Sequence, residues 1–542
     1  MSLHAVAVVT SVLPARARLA LSAEPPLARL HDAVLDDLAR GGPLARERFA
    51  THWADTAALA ALGDAKRRPL PAPLAAALHE QHRRLGASPA SLAALERLAA
   101  GEAVCTIAGQ QPAPLGGPLY SFHKIAAAVG MARRYEARTG KPCVALYWMH
   151  GEDSDFDEIR AATVADAALT LHDLMLPESL HEDGGMIGHL PLEPLAALES
   201  EALALWEGLP GARAVRDLLA RARRGSADLG DAMSALVLAA FGAEGVVVVD
   251  PRLPAFRDAA RVVIERYLAR ADAIRDAARA GGDAVERLVG RRPLNDATLE
   301  SFVFRVDGRR RHKIDPGKAH GAALTPNVAL RAAVQDGVLP TVAMAVGPGE
   351  AGYLAQLREA FEGLEVRPAC AVPRFAATWL PGAARDLLEA SGAEPAALIT
   401  ATDAVIHEHA DSLVPGAVRD ALDRAQAQSL AAIDEVAARV PEVDASLPQM
   451  VGSARGKVDY QFQRLREGVV GKVRHQLERR RPEWLRLRYY LLPGDRPQER
   501  RVASLEPLAH RGAEAVAIMC TLAEAHAAAL EEGRLEHMVV DL

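Results

Sequence analysis

The sequence predicts an α/β protein: a parallel sheet covered by helices on both faces, followed in the chain by a long helical hairpin. Three observations predict it. Short, continuous apolar runs, "AVCTIAG", "KPCVALYWMH", "GVVVVDPRLP" and "PTVAMAVGPGE", read as strands buried on both sides. Helical periodicity separates them, as a parallel sheet requires. After about residue 380 the strand signals stop, and two apolar stripes with separations of three and four take over.

In chain order, residues 1–100 read as Ala/Leu-rich helices packed on the core, with "RRPLPAPLAAAL" a proline-marked loop leading into a helix. The first strand then runs through a Gly/Pro/Gln loop into "SFHKIAAAVGMARRYEARTG". Phe122, Ile125 and Val129 fall at helical spacing there, and Gly140 closes the helix. "KPCVALYWMH" follows, so the unit is strand–loop–helix–strand. "PTVAMAVGPGE" runs through a Gly-Pro-Gly turn into the helix "AGYLAQLREAF", and "PACAVPRFAAT" is a further strand candidate. This alternation defines a Rossmann-like core, whose ligands bind at the carboxyl ends of the strands. Gly109, Glu152, Asp250 and Gly347 fall at those ends. Beyond Pro415, Val418, Leu422, Leu430, Ile433 and Val440 form one stripe. Val458, Phe462, Leu465, Val469, Val473 and Leu477 form a second, and Pro441 and Pro448 break the chain between the two arms.

Composition narrows the function. Half of the 542 residues are apolar and 25% charged, ordinary for a protein with a sizeable core. A formal charge of -7 argues against nucleic acid or an anionic membrane as partner. Cys105, Cys143, Cys370 and Cys520 are scattered with no C-x-x-C pair, which fits a reducing cytoplasm. "AVAVVTSVL" lacks a preceding Lys or Arg and is not read as a signal peptide, and the longest uncharged run is broken by Gly, Pro and Gln. No metal site is expected. "HEQH" and "HEHA" lack the spacing of a zinc-protease helix and read as exposed helix residues.

The candidate site begins with "TIAGQQPAPLGGPLYSFHK", which satisfies neither common nucleotide-binding consensus. A turn holding Gly109, Gly116 and Gly117 before a helix could present N–H groups to an anion, with Lys124 adding a point charge, and reads equally as a tight strand-to-helix turn. Gln110 and Gln111 can donate and accept. "HGEDSDFDEI" gathers His150, Glu152, Asp153, Asp155, Asp157 and Glu158, which could hold an amine, serve as a general base or bind Mg2+. As an isolated stretch it reads better as a solvated acidic loop that caps the next helix, and its position at a strand end beside the Gly loop is what favours a site. "LTPNVALRAAVQD" offers Thr325, Asn327, Arg331, Gln335 and Asp336. "VGPGEAGYLAQL" offers Gly347, Gly349, Glu350 and Tyr353; alone the two segments read as a capped helix and a tight turn, and together they could form the opposite wall of one cleft.

Taken together and in order, "AGQQ…GGPLYS..K", "W..GED.DFDEI", "L.PNV.LR..VQD…PTVA…GPGE..YLAQL", "VPR..AT" and "LLPGDRPQER" resemble the BshC family, the cysteine-adding enzymes of bacillithiol biosynthesis, from about residue 100 onward. The resemblance implies a Rossmann-like core with inserted connecting segments, an α-helical coiled-coil domain and a homodimer. The expected divisions are 1–100, 101–380, 381–490 and 491–542. The implied reaction joins the carboxyl of cysteine to the amine of glucosaminyl-malate. Lys124, Glu152, Asp153 and Asp155 are the expected catalytic residues. Gly109, Gln110, Gln111, Tyr120, Asn327, Arg331, Gly347, Gly349, Glu350 and Tyr353 are expected to bind substrate.

A free carboxylate does not acylate an amine at neutral pH, so ATP with Mg2+ is the expected cosubstrate. Ala108 stands where the family has Thr, His123 where Tyr is common, and Ser154 where it has His. If that histidine were the base, His123 or His150 would have to supply the imidazole here. Two alternatives follow: a same-fold ligase with another amino acid or acceptor, and a silent nucleotide-binding scaffold using the arginines of "RLREGVVGKVRHQLERRRPEWLRLR", Arg479 to Arg481 among them.

Overall fold

The computed structural model describes residues 16–21, 30, 32–319, 321–391, 395–480 and 482–542. The "AVAVVTSVL" run and Arg481 lie outside them. The chain forms two compact units, one built from residues 1–382 and 493–542 and the other from residues 383–492.

The first unit is organised by five parallel strands, β1 (Val104–Gln110), β2 (Cys143–Met149), β3 (Val247–Val249), β4 (Thr341–Val346) and β5 (Cys370–Pro373), in the spatial order β5-β4-β1-β2-β3. Every residue of the five is buried. Successive side chains alternate between two apolar layers: Cys143, Ala145, Tyr147 and Met149 enter one, and Val144, Leu146 and Trp148 the other. Burial on both faces is why these strands are unbroken apolar runs rather than alternating ones.

Three helices place the functional side chains. Helix α1 (Tyr120–Thr139) follows β1 and ends on Gly140, whose left-handed conformation lets its N–H bond the Glu136 carbonyl. Helix α2 (Val328–Val338) precedes β4, and α3 (Pro348–Gln356) follows it. Between strands the chain inserts an antiparallel pair, Ala161–Ala165 with Leu171–Met175, and a three-stranded sheet in which Val303–Asp307 pairs with Arg310–Lys313 and Leu324–Pro326.

Strand structure does not stop at residue 380. Glu536–Asp541 runs antiparallel to Ala17–Ala20 and parallel to Ala377–Leu380, so "PACAVPRFAAT" divides between two sheets. The C-terminal strand begins and ends with charge and holds only the three apolar residues Met538 to Val540, so no long apolar run announces it. "HEQH" also differs from expectation. His82 is fully buried, donates from Nδ1 to the Leu78 carbonyl at 2.7 Å and accepts from the Val248 N–H at 3.1 Å. Burial pushes its pKa down to about 4. In "HEHA", His407 is exposed and His409 lies 4.9 Å from the Trp484 ring.

The second unit contains an antiparallel pair, α4 (Gly416–Arg439) and α5 (Leu447–Arg480). Asp423 pairs with Arg466, Gln426 with Asp459, and Asp434 with Arg455, so one index rises as the other falls. Pro441 lies in the turn and Pro448 at the start of α5, where a missing N–H costs nothing. Leu422, Leu430, Ile433, Val458, Phe462, Val469 and Val473 are half-buried along the seam, whereas Val418 and Leu465 are exposed. Arg479 and Arg480 are also exposed.

Candidate active site

From β1 the chain moves in one direction to β2 and β3, and in the other to β4 and β5. The crevice between the carboxyl ends of β1 and β4 is therefore the switch point where such sheets bind ligands. A cavity of about 290 Å3 lies there.

Gln110, the last residue of β1, is held on both ends of its amide: Nε2 donates to the Tyr120 hydroxyl at 3.2 Å, and Oε1 accepts from Lys124 Nζ at 3.2 Å. Lys124, in the second turn of α1, also donates to the Gly109 carbonyl at 3.1 Å and pairs with Glu350 at 2.7 Å. Three acceptors saturate its three N–H donors. Glu350 accepts in addition from the Gly347 N–H at 2.9 Å, which ties the turn after β4 to α1. An incoming anion reaches Lys124 only by displacing Gln110 or Glu350.

On the β2 side, Asp153 pairs with Arg311 at 2.6 Å and Arg331 at 3.5 Å. Burial alone would raise its pKa, but the two guanidiniums hold it well below the usual carboxylate range. Ser154 accepts from Arg311 Nε at 3.2 Å. His150 Nδ1 lies 3.2 Å from Arg331 Nη1. Burial, then the charges of Arg331 and Lys124, hold the His150 pKa well below its ordinary value. Arg374 crosses from β5 and is paired with Glu499, which is also bonded by His123 Nδ1 at 2.8 Å. The Arg374 guanidinium lies over the Tyr120 ring, 5.5 Å from its centre.

Of the residues expected from sequence, Gln110, Gln111, Tyr120, Lys124, Asp153, Arg331, Gly347, Gly349, Glu350 and Tyr353 line this cavity. Four do not. Gly109 belongs to β1 rather than the turn, and a Cβ there would sit 2.4 Å from His150 Nε2, so the glycine makes room for the imidazole. Glu152 turns away, bonded to Arg257 at 2.9 Å and to the Thr325 hydroxyl, with burial raising its pKa. Asp155 caps the turn Phe156–Ile159 by accepting from the Glu158 N–H at 3.1 Å. Asn327 caps α2, its oxygen accepting from the Ala329 N–H at 2.8 Å and its amide donating to the Thr298 and Ser301 carbonyls.

Gln335 and Asp336 also lie elsewhere. Asp336 is buried against Lys66 and lines a larger, mostly apolar cavity of about 440 Å3 that holds none of the strand-end residues. His123 is buried, accepting from Trp379 Nε1 at 2.9 Å, so among the described residues only His150 brings an imidazole to the switch point. Six further residues line it: His150 and Glu158, read from sequence as members of the acidic cluster but given no assigned role, and Val328, Pro348, Arg374 and Arg500, which no expectation named. The signal existed for most of them: His150 and Glu158 flank the acidic cluster, and Arg374 and Arg500 lie in "VPR" and "DRPQER". Cys105, in β1, is buried, and burial pushes its thiol up to about 12, which excludes a ready nucleophile.

A 3-2-1-4-5 parallel sheet with a polar, two-signed cavity at its switch point defines a Rossmann-like protein, the cavity lying where such sheets bind their ligands. The chain belongs to the BshC family: residues 32–320 and 316–375 match the family described as "Bacillithiol biosynthesis BshC, N-terminal Rossmann-like domain". Among its relatives, a protein of Solibacter usitatus is 28% identical over 77% of this chain and 82% of its own length. One from Heliobacterium modesticaldum is 26% identical over 74% and 78%, and one from Koribacter versatilis 28% over 72% and 76%. Each carries the name "Putative cysteine ligase BshC". Among the described residues no helix is long and apolar enough to cross a membrane.

Proposed function

We propose that this protein is a ligase that joins the carboxyl of L-cysteine to the amine of glucosaminyl-malate, forming bacillithiol, with ATP and Mg2+ as cosubstrates. One observation carries the reading: Lys124, Arg331, Arg374 and Arg500 converge with Asp153, Glu158 and Glu350 on a single cavity at the switch point. Cations of that number suit malate carboxylates and phosphate, and the carboxylates suit an amine. Lys124 would meet the anion that develops as the carboxyl is activated, releasing Glu350 or Gln110 to do so.

The proposal sets the reaction in the cytoplasm, a reading supported by four scattered, unpaired cysteines. A homodimer through the hairpin is part of the proposal, motivated by exposed Val436, Val443, Met450 and Leu465 on the second unit. Sedimentation velocity tests it, a monomer being the adverse result. Ser154 motivates a second reading, the same chemistry on a different acceptor, since its hydroxyl bonds Arg311 where the family has an imidazole.

The test is mass spectrometry of wild type and Lys124→Ala with cysteine, glucosaminyl-malate and Mg2+, with and without ATP. Product from wild type, reduced about 10²-fold or more in the variant, is expected. No product under either condition from folded protein would turn the search to other acceptors.

A further inference from the structure

The hydrogen-bonding role of the His150 imidazole is fixed by the chemistry of its neighbour. A guanidinium has donors only, so the 3.2 Å contact from Arg331 Nη1 makes His150 Nδ1 an acceptor. A neutral ring accepting at Nδ1 carries its proton on Nε2. His123 is set the opposite way, because an indole N–H can only donate: Trp379 Nε1 bonds His123 Nε2, which leaves Nδ1–H facing Glu499. Gly109, having no side chain, opens the space that Nε2 of His150 occupies at the end of β1. Among the described residues that nitrogen makes no hydrogen bond within the chain.

We propose that His150 is a neutral hydrogen-bond donor, offering Nε2–H to an anionic oxygen of the bound substrate, and is not the base of the reaction. The proposal rests on the ligase reading for its substrate but on the structure alone for its tautomer. The surrounding charges support it. Arg331 and Lys124 act against protonation and Asp153 acts for it, with burial the largest influence and the ring's pKa held well below the ordinary histidine value. Glu158, Glu350, Arg374 and Arg500 complete the charged lining. A ring that stays neutral this firmly is a weak proton acceptor at neutral pH, yet it remains a full-strength donor. No proton is transferred: the N–H is present before and after turnover.

Two measurements test this on the full chain. With 15N-histidine, the His150 signal, identified by its loss in His150→Gln, should show a protonated Nε2 and bare Nδ1, unchanged from pH 5.5 to 8. A proton on Nδ1, or titration near 6.5, would overturn the proposal even if no acceptor were yet known. In the ligase assay, His150→Gln, whose amide can place an N–H close to the former Nε2, should retain activity to within about tenfold. His150→Phe should lose about 10²- to 10³-fold. Equal inactivation of both variants, with an acid limb of the wild-type pH profile abolished in each, would make His150 the base. A wild type that turns over no acceptor would sink the ligase reading instead, leaving the tautomer result standing.

Discussion

Replacing Glu499 by glutamine tests how the cavity is braced. The carboxylate is buried beneath the site and takes both Arg374 nitrogens, Nη1 at 2.9 Å, together with His123 Nδ1 at 2.8 Å. Glutamine preserves the shape but puts an NH2 where one oxygen faces donors. A donor then meets a donor, and the buried Arg374 charge loses its counter-ion. Breaking one side of a buried pair costs about 3–5 kcal/mol. Urea unfolding at pH 7 should show that loss, and Arg374→Met combined with Glu499→Gln should recover part of it, because no charge is then stranded. A loss below about 1 kcal/mol, or strict additivity in the double variant, would refute the reasoning. The pH dependence has a definite sign. Burial alone would raise the Glu499 pKa, but Arg374 and His123 hold it well below the usual value. The contribution is therefore full above the unfolded pKa of about 4.3 and is lost as pH falls through the folded one. The gap between wild type and Glu499→Gln should close only in acid.

Three further outcomes are expected. Burial holds His82, His526 and His537 each at a pKa of about 4. Their unfolded forms protonate near 6.5, so stability should fall as pH drops below that point, by at most about 1.4 kcal/mol per pH unit for each ring; a flat urea midpoint between pH 7 and 5 would contradict this. Gly109→Ala should cost about 1–3 kcal/mol by driving a methyl into His150, whereas Gly349→Ala, whose Cβ would meet nothing within 4 Å, should be no less stable than wild type by the same unfolding measurement. Arg500→Ala, removing an exposed cation at the cavity edge, should change stability by under about 0.5 kcal/mol while raising a substrate KM in steady-state assays.

The sheet was legible because its strands are buried on both faces, which compresses each into a run such as "CVALYWM" that no surface element would tolerate. The walls of the site were legible for a related reason, since turns at strand ends need Gly and carry polar residues on either side. What could not be read was direction. Glu152 and Asp153 are adjacent and equally acidic, yet one turns to Arg257 and the other to Arg311 and Arg331, a choice made by the path of a loop. Nor could distance be read: Glu499 is 376 residues from His123 and 125 from Arg374, and only the folded chain brings the three together. Gly109 looked like part of an anion-binding turn because a glycine's missing side chain leaves no mark of what fills the space.

The closing residues of the first unit arrive late. Residues 493–542 follow the whole of the second unit in the chain, yet they supply Glu499 behind Arg374, Arg500 at the cavity and the Glu536–Asp541 strand that joins Ala17–Ala20 to Ala377–Leu380. During synthesis, with the N-terminal side emerging first, the sheet at the site must wait for its last brace while about 110 residues of helix are translated. Closing contacts over such separations is slow, because the entropy of the intervening loop is spent before any contact is made. A ribosome that stalls within the helical unit would release a chain with β1 to β5 present, Arg374 unpaired and the mixed sheet unfinished.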